Sequence, residues 1–177
     1  KRDALIVDTV NRNTLLTCYK RVVELSATRK ELLMIGLIVS GHLNFATGMA
    51  SAVKAIAGEQ ENIAFIDFIE SISPDELEQK MREAINAMSC QQYLFLTDLP
   101  GGTPCNRAMA IMMQNPSVEV LAGVNLPMIV NAAFEREGCS TTELVQTLRE
   151  IGQDSIQDIR EQLAQIDSHD VEEEDGL

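Results

Sequence analysis

The chain has 177 residues, 45% of them hydrophobic, enough to bury the core of one α/β domain. Its formal net charge of −13 excludes a nucleic-acid binder held by phosphate contacts. No apolar run reaches the about 20 residues of a membrane span, and Asp8, Asn11 and Arg12 interrupt what would be a signal-peptide core, so the expectation is a soluble, cytoplasmic chain.

The charge is unevenly placed. Residues 1–33 hold seven Lys/Arg against four Asp/Glu, whereas residues 34–177 hold seven against twenty-three. Leu15, Tyr19, Val22, Val23 and Leu25 have rough helical spacing, so a helix over about 13–32 is plausible. Met34 then directly precedes the first convincing strand. This reads as a natural start at Met34, with 1–33 an extension or upstream read-through; the alternative is a helix that docks on the domain or links it to another. Cys18, Cys90, Cys105 and Cys139 are widely spaced and form no CxxC pair, which indicates neither a zinc site nor a disulfide framework.

The domain proper is expected over 34–166, with an acidic tail at 167–177. Residues 35–41, apolar and β-branched, read as a strand buried on both faces. Phe45, Met49, Val53 and Ile56 give a helix over 45–57, stopped by Gly58. Residues 62–68 form the second strand. Ser73-Pro74-Asp75-Glu76 opens a helix to about Met88, with an N-cap serine, proline at N1 and acids in the first turn. The third strand is Tyr93–Thr97. Helices are expected over about 104–114, 127–137, 141–151 and 153–166, and a fourth strand over 119–123. Met109, Met112 and Met113 read as core rather than a cofactor box. Strands alternating with helices imply an α/β fold: a mostly parallel sheet with helices on both faces.

Polar groups gather at two strand ends. His42 follows strand one and Asp98 follows strand three, so a parallel sheet carries both to one edge, where open α/β sheets bind ligands. Asp98-Leu99-Pro100-Gly101-Gly102-Thr103-Pro104 adds a glycine turn into a helix start, with Thr103 as a possible cap. Helix N-terminal amides beside glycines suit an anion. Asp98 would accept from Nδ1–H of His42 and leave Nε2 free to attack phosphorus; Gly101, Gly102 and Thr103 would donate to the phosphoryl oxygens. Taken singly each feature is ordinary. A lone histidine at a strand end is commonly structural, Gly-Gly-Thr-Pro is a common strand-to-helix turn, and Asp98 could merely cap that turn. Their joint occurrence on two strand ends of one sheet is what points to phosphoryl transfer. No acidic cluster suits Mg²⁺, no Walker loop is present, and no metal or cofactor is implied.

Three blocks carry a family resemblance: Ser40-Gly41-His42 with Phe45-Ala46-Thr47-Gly48-Met49, then Thr97–Pro104, then Val120-Leu121-Ala122-Gly123-Val124-Asn125-Leu126-Pro127. From about Met34 to about Arg160 the chain resembles the EIIA component of the mannose family (mannose, fructose, N-acetylgalactosamine) of the bacterial sugar phosphotransferase system, PTS. Gly58-Glu59-Gln60, the Thr97–Pro104 loop and Glu135–Gly138 look most similar to the N-acetylgalactosamine/galactosamine type. The resemblance implies a cytoplasmic phosphotransferase subunit that takes a phosphoryl group from phospho-HPr onto His42 and passes it to EIIB. EIIB then phosphorylates a sugar entering through membrane EIIC and EIID. It also implies a homodimer that exchanges a strand around 118–125 or just after it. One departure stands out: the family usually has glycine after the histidine, and here Leu43 follows. Two other function classes remain open at this level. One is a regulatory IIA-like domain of a transcriptional activator or a phosphodonor to dihydroxyacetone kinase; the other is a small-anion binding module without turnover.

Overall fold

The computed structural model describes residues 34–163. The expected helix over 13–32, the extension 1–33 and the acidic tail lie outside the described residues.

Strand β1 (Ile35–His42) is followed by helix α1 (Phe45–Ala57), strand β2 (Ile63–Phe68), helix α2 (Pro74–Ala87), strand β3 (Gln92–Thr97), helix α3 (Thr103–Met112), strand β4 (Val118–Ala122), and helices α4 (Leu126–Glu135) and α5 (Thr141–Asp154). The sheet order is β2-β1-β3-β4, and every pair is parallel. The expected α/β class and parallel sheet are what the chain forms. The segment 118–122, expected near a strand exchange, is the edge strand β4, paired within the chain to β3.

Alternation along the central strands sorts the core into two layers. Leu37, Val39, Leu94 and Leu96 face α1, α4 and α5 and pack on Ala46, Val53, Ile129, Leu144 and Leu148. Ile38, Tyr93 and Phe95 face α2 and α3 and pack on Leu77, Met81, Ala108 and Ile111. Because β1 and β3 are covered on both faces, they read as unbroken apolar runs.

Several boundaries shift for local reasons. Gly102, not Thr103, occupies the N-cap of α3; its extended backbone suits that place, and Thr103 becomes the first helical residue. Helix α5 runs through Asp154 and ends where the Ser155 hydroxyl donates to Gly152 O at 2.9 Å. The expected helix over 153–166 therefore starts late. Asp158 accepts from the N–H groups of Arg160 and Glu161, and helical structure resumes at 159–163. Of the three methionines expected in the core, Met112 packs against it, whereas Met109 and Met113 are exposed. Ile56 is likewise exposed, one turn beyond the buried Val53.

The far edge of the sheet is tied by a buried cation. Arg136, 2% exposed, follows α4 and donates to the carbonyls of Ala133, Ile35, Asn62 and Glu61. Burial pushes its pKa down against the opposing influence of Cys90, Glu137 and Glu61, and four carbonyl oxygens at 2.6–3.4 Å accept from the guanidinium. This end of the molecule is locked, and the loops that follow β1 and β3 lie at the opposite end.

Candidate active site

The carboxyl ends of β1, β2 and β3 lie side by side. Ser40 pairs in register with Thr97, and His42 with Phe68. The residues that follow β1 and β3 are thereby brought together, although 56 positions separate His42 from Asp98.

One oxygen of Asp98, Oδ2, accepts from the backbone N–H of His42 at 2.7 Å and lies 2.8 Å from His42 Nδ1. Oδ1 accepts from Leu99 N–H at 2.7 Å. Burial pushes the Asp98 carboxyl up, but these hydrogen bonds, with the charge of the imidazole, outweigh it and hold the group below its ordinary value. An ionised carboxylate only accepts. Nδ1 therefore carries the proton toward Asp98, and in the neutral ring this leaves the lone pair on Nε2. The histidine side chain is 41% exposed and that of Asp98 15% exposed, so the imidazole is partly open to solvent while the carboxylate beside it is sheltered. The Phe68 ring meets the imidazole edge-on, with centroids 5.9 Å apart.

The glycine turn presses against the other edge of the ring. A Cβ on Gly102 would fall 2.7 Å from His42 Cε1 and 3.5 Å from Nε2. Gly101 turns the chain with φ of 76°, a left-handed conformation that glycine adopts without strain. The expected donor role of the Gly102 amide needs correction: its N–H donates to Leu99 O at 3.1 Å. Gly102 supplies space beside Nε2 instead. In α3, Asn106 N–H donates to Gly102 O and Pro104 has no N–H, so the leading amides left to meet an anion are those of Thr103 and Cys105. Asn106 Nδ2 braces the turn by donating to Gly101 O at 2.8 Å.

The structure brings His42, Asp98 and Gly102 together, with Gly101 and Thr103 flanking Gly102 in the chain, and two residues that sequence reasoning did not single out, Asp67 and Thr47, meet at the same sheet edge. Asp67, at the end of β2, accepts from Thr47 N–H and Thr47 Oγ1 in the first turn of α1. The available signal was a carboxylate in the otherwise apolar run Phe65-Ile66-Asp67-Phe68, at the same sheet edge as His42. Among the described residues, no group of three or more His, Cys, Asp or Glu side chains is placed to hold a metal ion. No helix among them is long and apolar enough to cross a membrane.

Comparison with known proteins identifies the family and agrees with the fold. Residues 36–149 match the EIIA-man family, described as the PTS system fructose IIA component. The chain is 30% identical over 134 residues to the fructose-specific EIIA component of Bacillus subtilis, covering 75% of this chain and 92% of that one. It is also 30% identical over 127 residues to the sorbose-specific EIIA component of Lacticaseibacillus casei, covering 72% and 92%. The crystal structure of an EIIA component from Streptococcus agalactiae superposes with a TM-score of 0.67 at 31% identity, over 72% of this chain and 98% of that one. On these matches the chain belongs to the EIIA components of the mannose-family sugar phosphotransferase system, a phosphocarrier subunit.

Proposed function

We propose that the carried phosphoryl group sits on Nε2 of His42, delivered by phospho-HPr and passed on to EIIB, with the EIIC and EIID membrane subunits as the indirect destination. The supporting observation is the 2.8 Å contact between His42 Nδ1 and Asp98 Oδ2. It fixes the tautomer that leaves Nε2 as the nucleophile. The Nε2 lone pair forms the new bond to phosphorus while the donor's bond to it breaks, and that electron pair leaves with the donor. Asp98, held ionised, stabilises the positive charge that the ring acquires. Gly102 keeps the approach to Nε2 clear, Gly101 supplies the left-handed turn before it, and the helix-leading amides with the Thr103 hydroxyl meet the phosphoryl oxygens. Placement in the cytoplasm and assembly as a homodimer, with β4 as an edge open to a partner, belong to the same reading.

The test is incubation with enzyme I, HPr and labelled phosphoenolpyruvate, followed by acid treatment and peptide mapping. An acid-labile phosphate on the peptide containing His42, absent in His42→Gln, is the expected result. Wild-type-rate labelling of His42→Gln overturns the assignment, and so does a stable label on another peptide.

A further inference from the structure

We infer that Asp67 is a second positioning carboxylate for His42, acting through Thr47 and the turn that links β1 to α1; the inference rests on the reading of His42 as the phosphoryl acceptor. The turn is two residues long, Leu43 and Asn44, and it leaves His42 directly. Leu43 has φ of 51°, a left-handed conformation that a leucine adopts only under strain. Asn44 stands at the N-cap of α1, a place its residue type favours, yet makes no side-chain cap hydrogen bond. The cap comes instead from another strand. Asp67 Oδ1 accepts from Thr47 N–H at 3.0 Å, and Oδ2 accepts from Thr47 Oγ1 at 2.7 Å. Thr47 is the third residue of α1, where an N-cap side chain ordinarily bonds.

The neighbouring contacts act in the same direction. Gly41 is the register partner of Asp67, and His42 of Phe68. Leu43 N–H donates to Phe68 O at 2.9 Å. The strained turn is therefore held at its start by Phe68 and at its end by Asp67. A Cβ on Gly41 would strike the Phe45 ring, so α1 sits tight against the end of β1. His42 is thus gripped from both neighbouring strands, by Asp98 beyond β3 and by the Asp67-Phe68 pair of β2. Releasing the Asp67–Thr47 contact frees the turn to relax its left-handed residue, and the imidazole moves with it. In group transfer, a misplacement of this kind lowers rate more than affinity.

The experiment is single-turnover transfer from phospho-HPr over a range of donor concentrations, together with proton–nitrogen NMR of the His42 ring, on the full chain. Asp67→Ala and Thr47→Val should lower the limiting rate on the order of tenfold, with the half-saturating donor concentration unchanged. Thr47→Ser, which keeps the hydroxyl, should restore the rate. The His42 ring signals should shift in Asp67→Ala and Thr47→Val alone. Ser140→Ala serves as the control, because it removes a helix cap at the opposite end of the sheet, where Thr141 N–H meets Gln92 at the start of β3. It should lower the melting temperature comparably and leave rate and ring signals unchanged. Limiting rates in Asp67→Ala and Thr47→Val equal to that of Ser140→Ala overturn the inference. If the wild-type chain accepts no phosphate, the carrier reading itself fails; ring signals unaltered by Thr47→Val then overturn the positioning role too.

Discussion

At the scale of single residues, the site depends on one ionised carboxylate and one strained leucine. The hydrogen bonds around Asp98 lower its pKa in the folded chain relative to the unfolded one. Its contribution to stability is therefore complete above the ordinary carboxylate value of about 4 and is lost as pH falls through the lower, folded value. Acid unfolding of the wild-type chain should show this limb, and Asp98→Asn should flatten it. The same substitution should slow phosphoryl transfer about 100-fold through loss of ring orientation, as read by single-turnover labelling. Leu43 makes the converse point. Its left-handed backbone carries a side chain that is 57% exposed, so little burial compensates the strain. Leu43→Val, β-branched and less tolerant of this conformation, should cost about 1 kcal/mol in denaturant unfolding. Leu43→Gly should match or exceed wild-type stability. A glycine at this position has the backbone freedom that the turn requires.

At the scale of elements, order and type were legible because each left a local signature. The apolar run 35–41, the capping boxes at Ser73 and Ser140, and the alternation of strand and helix all act within a few residues. The same holds for His42 and Asp98, two polar residues placed just past apolar strands. What the sequence hid depends on contacts between distant segments. Thr47 is capped by Asp67, twenty positions away, so the cap of α1 has no signature beside it. The amide of Gly102 bonds to the carbonyl of Leu99, so a glycine that looked like a donor acts as clearance. Arg136 is a third case, since nothing near it in sequence announces a buried arginine. It joins the end of α4 to the starts of β1 and β2 through backbone carbonyls. Arg136→Met keeps much of the volume but orphans those oxygens, and should cost about 3 kcal/mol, measured by denaturant titration. Phosphoryl transfer at the opposite edge should persist wherever the variant remains folded.

At the scale of the whole molecule, the sheet has a protected centre and open margins. Leu37, Ile38 and Val39 of β1 and Leu94, Phe95 and Leu96 of β3 are fully buried, whereas β2 and most of β4 are half-buried edge strands. Amide hydrogen exchange should therefore be slowest in β1 and β3, close to the rate set by global unfolding, and faster in β2 and β4. The site is then rooted in the most stable strands and finished by loops at their ends. This arrangement also has a consequence for biosynthesis. During synthesis at about 5–20 residues per second, His42 is made roughly 3 to 11 seconds before Asp98, because the two are 56 positions apart. Until β3 has been made and inserted beside β1, a nascent chain carries an imidazole with no carboxylate to orient it. On the proposed reading of His42 as the acceptor, full competence to be charged arrives only with the assembled sheet.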